Sequence, residues 1–103
     1  MIRHIVLFKL KPPCSFDDDR VLVAERLAQQ VGEEVPVLKR WSTGRNLSTG
    51  RAQAYDFMVE GHLETMQDVD SYLADPFHQK AVAAWREISD WVVIDIAEGD
   101  GCG

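Results

Sequence analysis

The chemistry of this 103-residue chain rests on few side chains, and one group of them is spaced for joint action: Tyr72-Leu73-Ala74-Asp75-Pro76-Phe77-His78. On an unbroken helix, positions six apart point about 120° away from one another. A proline inside a helical run ends or bends it, so the break at Asp75-Pro76 frees Tyr72 and His78 to converge on one cavity. His78 then falls in the first turn of a new helix, where the helix dipole disfavours the imidazolium. A surrounding apolar face that includes Val82 and Trp85 acts in the same direction. A neutral imidazole is a general base, and a tyrosine hydroxyl beside it can hold a substrate oxygen or support the enolate that proton abstraction produces. His78 and Tyr72 are therefore the expected catalytic pair. His4, Asp95, Trp85 and Val82 are the expected binding residues, with His4 opposite Asp95 if the first and last strands pair antiparallel. Each also has a structural reading: His78 as part of a helix cap, Tyr72 as a core residue, His4 and Asp95 as a buried pair, and Trp41, Trp85 and Trp91 as core or interface anchors.

Other chemistries lack their patterns. His4, His62 and His78 are scattered, with no HxxxH or Cys/His spacing, so no metal site is expected, and His62 reads as a solvated turn residue. Asp17, Asp18 and Asp19 lack the alternating ligands and central glycine of a calcium loop and suit a helix start instead. The two STGR tetrapeptides, at 42–45 and 48–51, do not form a phosphate-cradling GxxxxGK[ST] loop. Asn46-Leu47-Ser48 matches a glycosylation sequon, which matters only in a secreted chain. Cys14 and Cys102 lack CxxC spacing and read as free thiols. The formal charge of −6 argues against unaided binding of nucleic acid. No run approaches the roughly 20 apolar residues that span a bilayer, and the first ten residues lack a secretory apolar region. The expectation is a cytoplasmic protein that needs no cofactor.

Six elements must position these residues. Residues 2–10 are rich in Ile, Val, Leu and Phe and read as a strand that Pro12-Pro13 ends. A helix is expected over roughly 16–32, with Ser15 as its N-cap. Residues 37–42 and 55–61 alternate polar and apolar and read as a hairpin around a Ser/Thr/Gly/Arg-rich loop. Helical spacing runs from Met66 to the break at Asp75-Pro76, then restarts with Asp75 as N-cap and Pro76 at the first helical position. Residues 91–96 form a final strand. The order βαββαβ gives an α+β, ferredoxin-like fold with both helical segments on one face of a four-stranded antiparallel sheet. The domain is expected over 1–98, with a flexible tail over 99–103. The first strand shows Ile5 and Leu7 on one side and Val6, Phe8 and Leu10 on the other. The last shows Val92, Ile94 and Ile96 opposite Trp91 and Val93, so both sheet faces are apolar. Helices hide only one, and the expected cover for the other is a second copy, making a dimeric α+β barrel through the sheet faces.

Several segments, in order and spacing, resemble the stress-responsive α/β-barrel (Dabb) family of the dimeric α+β barrel superfamily: MIRHIVLFKLK, RWSTGRNLS, AYDFMVEG, YLADPFHQKAV and WVVIDI. The resemblance implies the same dimeric barrel. It also implies functions ranging from stress-stability proteins to a plant polyketide cyclase that closes an aromatic ring by cofactor-free aldol chemistry. In that cyclase the residues matching Tyr72 and His78 act in the active site, the histidine as base, with the match of His4 nearby. This chain departs at Asp75, where the family often has His, and at Leu22, Val23 and Leu27, where the cyclase has bulkier aromatics. Two functions follow as expectations. One is a homodimer that binds a small apolar or carbonyl-containing molecule and performs cyclase-like aldol or lyase chemistry on it. The other is a non-catalytic stress-response or structural dimer of unknown ligand, in which the same residues serve as packing and caps and the interior is filled where the first has a pocket.

Overall fold

The computed structural model describes residues 1–98; the tail expected over 99–103, with Cys102, lies outside them. Seven elements follow one another: β1 (Ile2–Leu10), α1 (Asp19–Glu34), β2 (Arg40–Arg45), β3 (Phe57–Leu63), α2 (Met66–Ala74), α3 (Pro76–Ile88) and β4 (Ser89–Ala97). The strands form one antiparallel sheet in the order β2-β3-β1-β4, the ferredoxin-like arrangement with the first strand inside and the last at an edge. No helix among the described residues is long and apolar enough to cross a membrane.

Local chemistry sets the element ends. At α1 the expected cap, Ser15, gives way to Asp18. The Asp18 carboxylate accepts from the Arg20 amide at 2.9 Å, while Ser15 closes the preceding turn through its carbonyl and the Asp18 amide. The helix therefore starts three residues late and runs to Glu34. The second strand begins at Arg40 rather than at 37, because Val35, Val37 and Leu38 turn inward against the core and ladder pairing with β3 starts at Arg40 opposite His62. On the far side of the hairpin, Asp56 leaves the β2–β3 ladder. Its amide donates to the Phe8 carbonyl, its carboxylate accepts from the Leu10 amide, and β3 starts at Phe57. His62 is thus a strand residue, not a solvated turn residue. Its Nε2 donates to Glu60 at 2.7 Å, and the same carboxylate accepts from Arg3.

All helices cover one sheet face. α1 buries Val21, Ala24, Ala28 and Val31, and α3 buries His78, Ala81, Trp85 and Ile88, a three- and four-residue spacing that makes one stripe on each. The core forms two clusters. One centres on Phe8, Phe57 and Trp85, and the other on Val31, Leu63, Val69 and Tyr72. Trp41 packs against both, and its indole N–H donates to the Ala28 carbonyl at 2.8 Å. Its ring is accommodated by two glycines, Gly32 on α1 and Gly61 on β3. A Cβ at Gly32 would stand 2.7 Å from Trp41 Cδ1, and one at Gly61 would stand 3.2 Å from Cε3.

The edge strand β4 is poorly covered, with Val92, Val93 and Ile94 exposed to 48%, 56% and 55%. The face away from the helices carries Ile5, Leu7, Met58, Val92 and Ile94. Beside this apolar area sits the Arg3–Glu60–His62 cluster. Burial of Trp41 therefore depends on two absent methyl groups. Gly32→Ala is expected to cost about 1–3 kcal/mol by overpacking. Gly50→Ala, whose Cβ would meet nothing within 4 Å, should change stability by less than about 0.5 kcal/mol in urea unfolding.

Candidate functional site

A cavity of about 300 Å³ lies between the sheet and the helices, on the side of β1 and β4. Its floor is made by His4, Val6 and Phe8 of β1 with Trp91, Val93 and Asp95 of β4, which pair as Phe8 with Trp91, Val6 with Val93 and His4 with Asp95. Its roof is α3, through His78, Ala81, Val82 and Trp85. The interior expected of a chain without a pocket is filled; this one is not.

The break between α2 and α3 sets the polar end. Asp75 closes α2 with its amide, which donates to the Tyr72 carbonyl. It opens α3 with its carboxylate, which accepts from the amides of Phe77 at 2.8 Å and His78 at 3.3 Å. Pro76 occupies the first turn, where no amide donor is needed. The two helices thus meet at an angle, and the rings of Tyr72 and His78 approach to 4.1 Å between centroids. Both are buried. His78 Nδ1 lies 3.4 Å from the Leu73 carbonyl, an acceptor only; with Nδ1 protonated toward it, Nε2 keeps a free lone pair.

His4 completes the cluster. Its Nδ1 lies 2.6 Å from an Asp95 carboxylate oxygen, and its ring meets the edge of Tyr72 at 5.1 Å. An ionised carboxylate accepts only, so Nδ1 of His4 is the donor and this contact fixes its tautomer. The pair spans the ladder at the position strand parity indicates. His4 is 3% exposed, whereas the Asp95 side chain, on the edge strand, keeps 29% of its surface in solvent.

Burial dominates the electrostatics. It lowers the pKa of His78 from its ordinary 6.5; the nearby His4 pushes it down further, while the Leu73 carbonyl and Asp75 partly offset this. At neutral pH His78 is the free base. Burial likewise raises the Tyr72 hydroxyl well above its ordinary 10, helped by the Asp95 charge, so Tyr72 remains a proton donor throughout the physiological range.

Trp85 and Val82 both line the cavity, and the buried Trp85 ring also packs between Phe8 and Phe57 at 4.3 and 5.0 Å. All six residues singled out in the sequence thus meet at one cavity. Missed were Trp41, whose ring stands 6.1 Å from Tyr72, and the α1 positions Ala28 and Val31. The readable signal for Trp41 was the pair of glycines at 32 and 61, each in an element that otherwise favours a side chain. Among the described residues no group of three or more His, Cys, Asp or Glu is placed to hold a metal ion.

The chain is similar to known proteins along almost its whole length. It is 38% identical over 95 residues to an uncharacterized protein of Streptomyces coelicolor, covering 92% of this chain and 97% of that one. A dimeric ferredoxin-like protein of unknown function from Thermobifida fusca matches with a TM-score of 0.80 at 28% identity, over 94% of this chain and 90% of that chain. The hydroxynitrile lyase of Passiflora edulis shares the fold, with a TM-score of 0.81 at 17% identity over 99% and 96% of the two chains. The family model described as the stress responsive A/B barrel domain (Dabb) matches residues 2–98. With the sheet order, the two-part helix and this match agreeing, the chain belongs to the stress responsive A/B barrel domain family.

Proposed function

We propose that this chain is a homodimer that admits a small, largely apolar carbonyl compound to the cavity and performs cofactor-independent aldol or lyase chemistry on it, with His78 as general base. The observation that carries this reading is the 4.1 Å approach of the Tyr72 and His78 rings at the wall of a cavity of about 300 Å³. In the aldol direction, His78 Nε2 takes a proton from the carbon next to the carbonyl, and the C–H electron pair becomes the enolate. The Tyr72 hydroxyl donates to the enolate oxygen. The enolate carbon then attacks a second carbonyl, and the proton on His78 returns to the alkoxide formed. In the lyase direction, His78 removes the hydroxyl proton, the O–H electron pair forms the new carbonyl, and the carbon–carbon pair leaves with the other fragment as a stabilised carbanion, which takes the proton back from His78. His4, fixed by Asp95 and set against the Tyr72 ring, holds the phenol in place. That a lyase occurs among proteins of the same fold supports this class of reaction.

The dimer is supported by the uncovered sheet face. Leu7, Val92 and Ile94 are exposed to 36%, 48% and 55%, in adjacent strands and on one side. A protein of the same fold at 28% identity is described as dimeric. Two such faces about a two-fold axis would bury each other and leave the helical side free for ligand.

Wild-type protein should turn over members of a β-dicarbonyl or polyketide-like panel, and His78→Ala should lower kcat/KM by about 100-fold or more at unchanged secondary structure. No turnover across the panel, with the cavity still binding compounds, would leave a binding protein without catalysis. Since burial lowers the His78 pKa, the base is free at pH 7 and is lost only in acid. The kcat/KM profile should therefore be flat above about pH 6.5 and fall below it, with a midpoint under 6.5. The same group binds more protons unfolded than folded, so stability should also fall as pH drops from about 6.5 toward the folded-state pKa. Sedimentation at micromolar concentration should give twice the chain mass, and Ile94→Lys should shift it to the single chain. A wild-type single chain would end the dimer proposal.

A further inference from the structure

The cavity has two chemically different ends. One holds His4, Tyr72 and His78. The other is reached along α3 at Arg86, which also lines the cavity. With a rise of 1.5 Å per residue, eight residues from His78 to Arg86 span about 12 Å. β4 runs beside α3 over a matching length, from Asp95 opposite His4 to Trp91 opposite Phe8. Between the ends, the walls are apolar, with Val82 and Trp85 on α3 and Val93 on β4. Gln79, Arg86, Val93 and Asp95 are all exposed, so the slot opens to solvent along the gap between α3 and the edge strand.

Two side chains of formal charge line this slot. Asp95 is engaged by His4, while Arg86 forms no ion pair among the described residues. Arg86 also suits the last turn of α3, where a cation complements the helix C-terminus, but that role needs no cavity. The chain as a whole carries −6, so its overall field repels anions and any anion recognition here must be local. A guanidinium at the rim of an apolar slot supplies that, through a bidentate charge-assisted contact.

We propose that the cavity takes an elongated amphiphile with an anionic terminus at Arg86, about 12 Å from the carbonyl carbon presented to His78. The placement of the carbonyl rests on the proposed role of His78; the anionic terminus does not. A neutral compound of the same length would fill the walls and leave the guanidinium in water.

The test is equilibrium binding, followed by the fluorescence of Trp41, Trp85 and Trp91, which line the cavity. Decanoate and 1-decanol are titrated at pH 8, where decanoate is charged and His78 is neutral. Arg86→Gln should weaken decanoate by about tenfold, about 1.4 kcal/mol, and change 1-decanol by less than about twofold; Arg86→Lys should recover part of the loss. His78→Ala should keep decanoate affinity within about twofold, which separates this proposal from the catalytic one: loss of turnover with retained decanoate binding leaves the Arg86 end standing. The proposal is overturned if wild-type protein does not bind decanoate, or if Arg86→Gln weakens both compounds equally or neither. Arg86 is exposed, so the variants should fold as the parent does, and circular dichroism checks that they do.

Discussion

A helix that must change direction leaves backbone donors and acceptors without partners at the corner, and in this chain one residue meets that demand from both sides. Asp75 ends α2 with its amide and starts α3 with its carboxylate, and Pro76 removes a donor that would otherwise be free. Without the corner, Tyr72 and His78 would lie on different sides of one continuous helix. With it, they become neighbours 4.1 Å apart, and the hinge lies outside the cavity they line. A residue that holds the corner therefore acts on the chemistry only through geometry. This also accounts for Asp where the family resemblance suggests His: the position needs two amides accepted at once, and a carboxylate does that well.

The cavity itself follows from how the layers meet. Three helices over a four-stranded sheet cover β3 and β1 well and leave β4 at the rim. Close packing then requires the remaining volume to be filled from within, and the large side chains are committed elsewhere. Trp85 stacks between Phe8 and Phe57 in one cluster, Tyr72 anchors the other, and Trp41 is fastened to Ala28 between two glycines. Two clusters held apart by anchored aromatics leave space between them. The opening thus depends on rings that are fixed, a more durable origin than a missing side chain, because neighbours cannot relax into it cheaply.

Much of this was legible in the sequence because hydrophobic period and helix punctuation are local signals. The two-faced strands at 2–10 and 91–96, the break at Asp75-Pro76 and the pairing of His4 with Asp95 could each be read from a few adjacent residues and strand parity. Element ends are less legible where competing local signals are equally good. Ser15, Asp17, Asp18 and Asp19 are all capping residues, and Asp18 is the one whose backbone is extended and whose carboxylate meets the Arg20 amide. Residues 37–39 continue the alternation of β2, yet Val37 and Leu38 are taken into the core before the ladder begins. His62 reads as a turn residue when β3 is ended at Gly61, and the Glu60 carboxylate that it meets is held in turn by Arg3, from a strand distant in sequence. For Trp41 the glycines at 32 and 61 are legible but the ring they make room for is not, because its partners at 28, 32 and 61 come together only in the folded sheet and helix.

The charge balance at the polar end constrains what reaction it can host. Burial keeps Tyr72 protonated and His78 unprotonated, and the Asp95 carboxylate, hydrogen-bonded to His4, sits on the edge strand where water screens it. A permanently anionic group arriving at His78 would add a second negative charge beside the first, in low dielectric. An enolate made in place does not, because the proton that leaves carbon stays on His78 as imidazolium, and the pair of new charges cancels. Proton transfer within the cavity conserves its net charge, whereas binding an anion there would not. A carboxylate on the same molecule is therefore accommodated only at a distance, where a cation stands free to receive it.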